Sequence, residues 1–346
     1  MSDVTKDNPF YIENKKKLDD IGKGMCLAKW TQVTLQLQTG HNHSCHHPRT
    51  HKISEKEIAR NPSALHNTQY KKMRRREMLT DKRPEECDYC WGVEDNSDRF
   101  SDRVFKSSEN WSLPHFDEIV NADWRDNINP RYVEVAFSNA CNFKCSYCGP
   151  PYSSTWMNEI KQHGAYPTTD KFNGMEGMIE EDKVPILHKD YNPYVDAFWK
   201  WWPELYRDLH TFRITGGEPM LAKDTWKVLD YIIDEPNPNK DLNFAINSNL
   251  GLEDNMIDKL IGKINKIEDE DRVTQSPGLI SLPSTISNSS TIPVQNPARS
   301  YLPVLYILGI SAVSPPKRSI PDCSHPSTIP SITASNISVS NLPVAM

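Results

Sequence analysis

The chain has 346 residues, 46 acidic against 40 basic side chains, a net charge of −6 and a mean hydropathy of −0.65. That length builds one large domain or two ordinary ones; the mild negative charge predicts no general affinity for nucleic acid, and no run of about eighteen apolar residues offers a membrane span. Eight cysteines are too few for a disulfide framework, and seven of them fall into two groups with metal-like spacing, which points to a reducing cytoplasm.

The first twenty residues are polar and charged, without the apolar centre of a signal peptide. Composition then divides the chain into residues 1–125, 126–270 and 271–346. The first part is expected to be a small cysteine-containing α+β module. It carries Cys26, an alternating segment at Val33, Leu35 and Leu37, then Gly40 and Cys45. A basic helix is predicted over residues 67–79, followed by Cys87-Asp88-Tyr89-Cys90. Four thiolates can fully ligate an iron–sulfur cluster or close a tetrahedral zinc site. His41, His43, His46 and His47 crowd Cys45 and could replace one ligand, although exposed loop positions account for most of them. The run Lys71-Lys72-Met73-Arg74-Arg75-Arg76 reads as a solvated helix face: acidic residues flank it and no RNA-binding motif accompanies it.

Residues 126–270 alternate strand and helix. Val133, Val135 and Phe137 alternate with Tyr132, Glu134 and Ala136, as in a strand buried on one face. Helices are predicted over 154–162, 194–209 and 223–234, and strands over 212–215 and 242–246. Met256, Leu260, Ile261, Ile264 and Ile267 make an apolar stripe at helical spacing. Phe198, Trp199, Trp201 and Trp202 are expected to pack between helix and sheet. Such repeats imply an α/β fold with parallel strands and right-handed crossovers.

Directly after the first of these strands comes Cys141-Asn142-Phe143-Lys144-Cys145-Ser146-Tyr147-Cys148. Three thiolates so spaced can hold three corners of a [4Fe–4S] cube and leave one iron without a protein ligand. An open iron can bind a small molecule and do chemistry on it. Zinc is the competing occupant, but a closed structural zinc site takes four protein ligands, and no fourth stands nearby in sequence. The second strand runs into Gly216-Gly217-Glu218-Pro219, where two glycines let the backbone approach a ligand closely. Asn247 and Asn249 follow the third strand. They suit either ligand contacts or a strand-end turn.

Beyond residue 270 the pattern stops. Residues 273–346 hold sixteen Ser, eleven Pro and four charged residues. Proline recurs too often for helix or central strand. Either a reading-frame shift near residues 271–277 or a disordered Ser/Pro-rich tail gives such a composition. The segment 306–310 is strand-like, and Cys323 stands alone.

The triplet with Tyr147 before its last cysteine, followed some seventy residues later by strand-GGEP, resembles the signature of the radical S-adenosylmethionine (radical SAM) enzymes. The resemblance implies a partial (β/α)6 barrel, seen here through its first three units and incomplete at the C-terminus. It makes Cys141, Cys145 and Cys148 the ligands of a [4Fe–4S] cluster whose open iron binds S-adenosyl-L-methionine (SAM). Tyr147, Gly216, Gly217, Glu218, Asn247 and Asn249 become SAM contacts, with Glu218 suited equally to a tie inside the barrel. The implied reaction is reductive cleavage of SAM to a 5′-deoxyadenosyl radical, fed by a one-electron donor such as a flavodoxin or ferredoxin. Cys26, Cys45, Cys87 and Cys90 resemble the auxiliary-cluster modules called SPASM or twitch domains, placed here before the barrel rather than after it. Members with such modules often modify peptides, so a peptide or protein substrate is implied. A non-catalytic metal-binding protein with structural zinc is the alternative.

Overall fold

The computed structural model describes residues 7–167, 173–187, 189–270 and 272–273; the Ser/Pro-rich tail, with Cys323 and the segment 306–310, lies outside the described residues. The fold is mixed α/β around one six-stranded sheet. Its strands are β1 (Gln32–Gln36), β2 (His41–His43), β3 (His51–Lys52), β4 (Tyr132–Ala136), β5 (Thr211–Thr215) and β6 (Asn243–Ile246). Their order is β3-β2-β1-β4-β5-β6. β1, β4, β5 and β6 are parallel, while β2 and β3 pair antiparallel at one edge.

Register explains the two faces of the parallel part. Val33, Val133, Phe212 and Phe244 stand level on neighbouring strands, and so do Leu35, Val135, Ile214 and Ile246. All eight are fully buried. The helix Pro193–Asp208 covers them with Phe198, Trp201, Trp202 and Leu205, joined by the helices Lys223–Asp234 and Asp254–Asp269. Side chains alternate across a strand, so the opposite face carries Gln32, Thr34, Gln36, Tyr132, Glu134, Arg213 and Asn243. One face therefore makes the core and the other is polar.

The sheet runs through the boundary drawn between residues 125 and 126. β1 belongs to the first part and β4 to the second, yet they pair along their whole length. Val33 and Leu35 extend the same apolar layers, and pairing removes an edge that β4 would otherwise expose. The first part also brings its own small core of Leu18, Met25, Leu27, Trp30, Met78 and Ile119.

The helix Gln69–Leu79 departs from its expected role. Thr68 caps it, its hydroxyl accepting from the Lys71 amide at 3.1 Å. Lys71 and Arg75, one turn apart, are 1 % and 0 % exposed. The basic run is thus not a uniformly solvated face: a helix this close to the sheet must point one stripe inward, and here that stripe carries two cations.

Burial also sets the charge state of several histidines, His43 and His51 as well as His41 and His66. Desolvation, helped by Lys52, pushes His41 down to about 4; desolvation, with Lys71 and Arg75 alongside, holds His66 well below the usual histidine value. The folded chain keeps both neutral, whereas the unfolded chain protonates them near pH 6.5. Their contribution to stability is present above that pH and lost as pH falls toward 4, by about 1.4 kcal/mol per unit for each histidine. Chemical unfolding at pH 7.5, 6 and 5 is expected to show a steady loss; a flat or rising profile contradicts it.

Candidate metal centres

The C-terminal ends of β4, β5 and β6 lie side by side, and the loops that leave them are bonded to one another. Main-chain contact is closest between the first two. The Glu218 amide donates to the Ala140 carbonyl at 2.7 Å. Gly216 and Gly217 take φ of +76° and +47°, and a Cβ on Gly217 would stand 2.4 Å from that same carbonyl oxygen. Glycine is required here both by the left-handed backbone and by the space.

Glu218 is 1 % exposed. Its carboxylate accepts from Ser248 Oγ at 2.7 Å, the Asn249 amide at 2.7 Å and the Met220 amide at 3.1 Å. Burial raises its pKa against the pull of those three donors. Of the two roles open to it, the geometry gives it the internal one: it ties the loop after β5 to the loop after β6.

Cys141, Cys145 and Cys148 lie on the loop after β4, each partly buried. The start of the helix Ser154–His163 holds that loop. Ser154 Oγ accepts from the Cys141 amide at 3.0 Å, Thr155 Oγ1 donates to the Cys141 carbonyl at 2.6 Å, and Trp156 Nε1 donates to the Cys145 carbonyl at 3.1 Å. The run Ser153-Ser154-Thr155-Trp156 is therefore the clamp on the cysteine loop, a role the sequence alone did not suggest. From the third loop, Asn249 Nδ2 lies 3.1 Å from Asn142 Oδ1 and 4.0 Å from Cys141 Sγ. Asn247 sits below, accepting from Arg213 Nη2 at 3.2 Å. Tyr147 is 60 % exposed. Burial raises the Cys141 and Cys148 thiols above their ordinary value.

The second group also comes together. Cys26, Cys45, Cys87 and Cys90 line one cavity, with His47 and Asp102 on its wall. Cys26 follows the helix Pro9–Ile21, Cys45 follows β2, and Cys87 and Cys90 sit at the start of the helix Asp88–Asn96. Burial pushes Cys45 up to about 12, Cys87 to about 11 and Cys90 to about 12. Without a metal these are neutral thiols; a metal must displace their protons to bind.

Spacing separates the candidate occupants. Four thiolates on zinc, at bonds of about 2.3 Å, stand only ~3.8 Å apart. Thiolates on a cubane each bind a different iron and spread farther. Among the described residues, the ligand atoms found within 4.8 Å of one another in groups of three or more belong to His46, His47 and Asp102. Neither cysteine group is drawn that tightly. In the histidine group, His47 Nε2 and His46 Nε2 lie 2.9 and 3.3 Å from one Asp102 oxygen, and the His47 ring stacks on Tyr89. His41 and His43 point elsewhere, His41 Nδ1 to the Thr39 carbonyl and His43 Nδ1 to the Cys45 carbonyl.

Neither a protein-family model, nor a curated protein, nor a solved structure matches the chain.

Replacing Glu218 by Ala removes the acceptor for three donors, two of them main-chain amides in a buried junction. The expected cost is about 3 kcal/mol, read from chemical denaturation of the metal-free protein. A loss below about 1 kcal/mol would mean that the carboxylate does not tie the loops.

Proposed function

We propose that the chain is a radical SAM enzyme with two iron–sulfur centres. The observation that carries this reading is the junction of the three loops. A cysteine triplet with an open corner, a glycine pair without side chains and two asparagines all stand at the C-terminal ends of three adjacent parallel strands. Parallel α/β folds of the barrel type place their chemistry at that end. The polar sheet face is then the floor of an incomplete barrel of the radical SAM kind.

The donor set fits the implied groups. Three partly buried thiols on one loop suit three corners of a [4Fe–4S] cluster, and Gly216 and Gly217 let the loop after β5 pack directly on the loop that carries them. With cluster and SAM bound, the chemistry supplied is one-electron cleavage of the SAM sulfonium to methionine and a 5′-deoxyadenosyl radical, which takes a hydrogen atom from a substrate carbon. The chain's own residues hold and shelter these groups. Ser154, Thr155 and Trp156 fix the cysteine loop, Glu218 locks the glycine loop to the third loop, and Asn249 braces Asn142 beside Cys141. Arg213 Nε is buried with no hydrogen-bond partner among the described residues. A peptide or protein substrate and a flavodoxin- or ferredoxin-type donor follow from the resemblance.

Anaerobic reconstitution with iron and sulfide, then dithionite and SAM, is expected to yield 5′-deoxyadenosine and methionine. Cys145→Ala should lower that yield at least a hundredfold, because the open-iron cluster needs all three thiolates. Equal cleavage by wild type and C145A, or none by iron-loaded wild type, would sink the reading.

A further inference from the structure

Lys29 on the wall of the four-cysteine cavity, with Lys71 and Arg75 behind it, makes a group of three buried cations. Lys29 is 2 % exposed; Lys71 is 1 % and Arg75 0 % exposed. Lys29 Nζ pairs with Glu86, whose side chain is 10 % exposed. Among the described residues, the hydrogen-bond partners of Lys71 and Arg75 are neutral groups. Lys71 Nζ donates to the Gln32 carbonyl at 3.0 Å and lies 2.9 Å from His66 Nδ1. Arg75 donates to Asn67 Oδ1 at 2.9 Å and to the Lys29 carbonyl at 3.3 Å. Of the other charged side chains on the cavity, Lys106 adds a further cation to the wall, and the rest have close partners. Arg103 is held by Glu94 and Asp19, and Asp102 by His46 and His47.

Among the described residues, Lys29, Lys71 and Arg75 thus have one carboxylate partner between them, Glu86 on Lys29. Burying a charge is costly unless it is paired. Thiolates in the cavity would bring negative charge beside Lys29, whose carbonyl Arg75 reaches from behind.

We infer that Lys29, Lys71 and Arg75 form a built-in counter-charge for an anionic iron–sulfur centre on Cys26, Cys45, Cys87 and Cys90, and that they raise its reduction potential. This rests on reading that quartet as a cluster site. Four thiolates on a [4Fe–4S] core carry a net charge of about −2, becoming about −3 on one-electron reduction. Fixed positive charge stabilises the more negative, reduced state. Net charge around a cluster is among the known determinants of its potential. Zinc on the same thiolates would satisfy the charge but has no redox couple to tune.

The test uses the full chain with C141A, C145A and C148A, so that only the N-terminal centre contributes. Its iron content and its midpoint potential, followed by EPR in a redox titration, are measured with and without two further substitutions. Lys71→Met removes a cation and leaves no carboxylate unpaired. Glu86→Gln removes the carboxylate that pairs with Lys29 almost isosterically. K71M is expected to lower the potential by about 59 mV, a tenfold change in a one-electron equilibrium, and E86Q to raise it. Opposite shifts report charge; a merely structural role would not sort them by sign. If iron is bound but neither potential moves, or both move the same way, the counter-charge role is overturned while the cluster survives. If the quartet holds zinc or nothing, both fall, and SAM cleavage by the intact Cys141 triplet is left to stand on its own test.

Discussion

A single main-chain junction carries the proposed centre: the Glu218 amide on the Ala140 carbonyl, with no Cβ between them. It exists because β4 and β5 are adjacent and parallel, so the loops leaving them emerge on the same side. Two glycines with left-handed backbone let those loops touch. Glu218 then carries the contact to the third loop through Ser248 and Asn249. Any larger residue in the pair would separate the cysteine loop from the surface it faces. The apolar layers on the far side of the sheet matter to the site chiefly because they hold the three strand ends level.

The first hundred residues are bound into the same construction. β1 extends the sheet beside β4, and the helix Gln69–Leu79 turns Lys71 toward β1, where its ammonium meets the Gln32 carbonyl. The four N-terminal cysteines, scattered over more than sixty residues of sequence, converge on a cavity lined from the segment after the helix Pro9–Ile21, the loop after β2, the start of the helix Asp88–Asn96, and Asp102, Arg103 and Lys106. The charge around them is lopsided in the direction a thiolate centre would correct. In the proposed cluster, ionised thiolates would place negative charge beside Lys29 on the cavity wall.

Much of this was legible in the residues. Period-two alternation placed β4, β5 and β6, because each is buried on one face. The apolar stripes placed the helices that cover them, and the cysteine and glycine spacings marked the loops that meet. Other features were hidden because they depend on tertiary contact. Nothing local in Gln32–Gln36 says that it will pair with β4 across a hundred residues. A basic run looks solvated until the fold decides which stripe turns inward, and so Lys71 and Arg75 were misplaced. Glu218 suits an ammonium or an internal tie equally well until its three donors are seen. The clamp formed by Ser154, Thr155 and Trp156 left no signal beyond its position after the cysteines.

Two centres with different ligation should respond differently to one small molecule. The most direct measurement is EPR of the reconstituted, reduced protein before and after adding SAM. One signal, from the cluster on Cys141, Cys145 and Cys148, should be reshaped as SAM occupies its open iron. A second, from the fully ligated N-terminal cluster, should stay unchanged. Spectra indifferent to SAM, in protein that retains its iron, would contradict the open-iron centre on which the proposed chemistry depends.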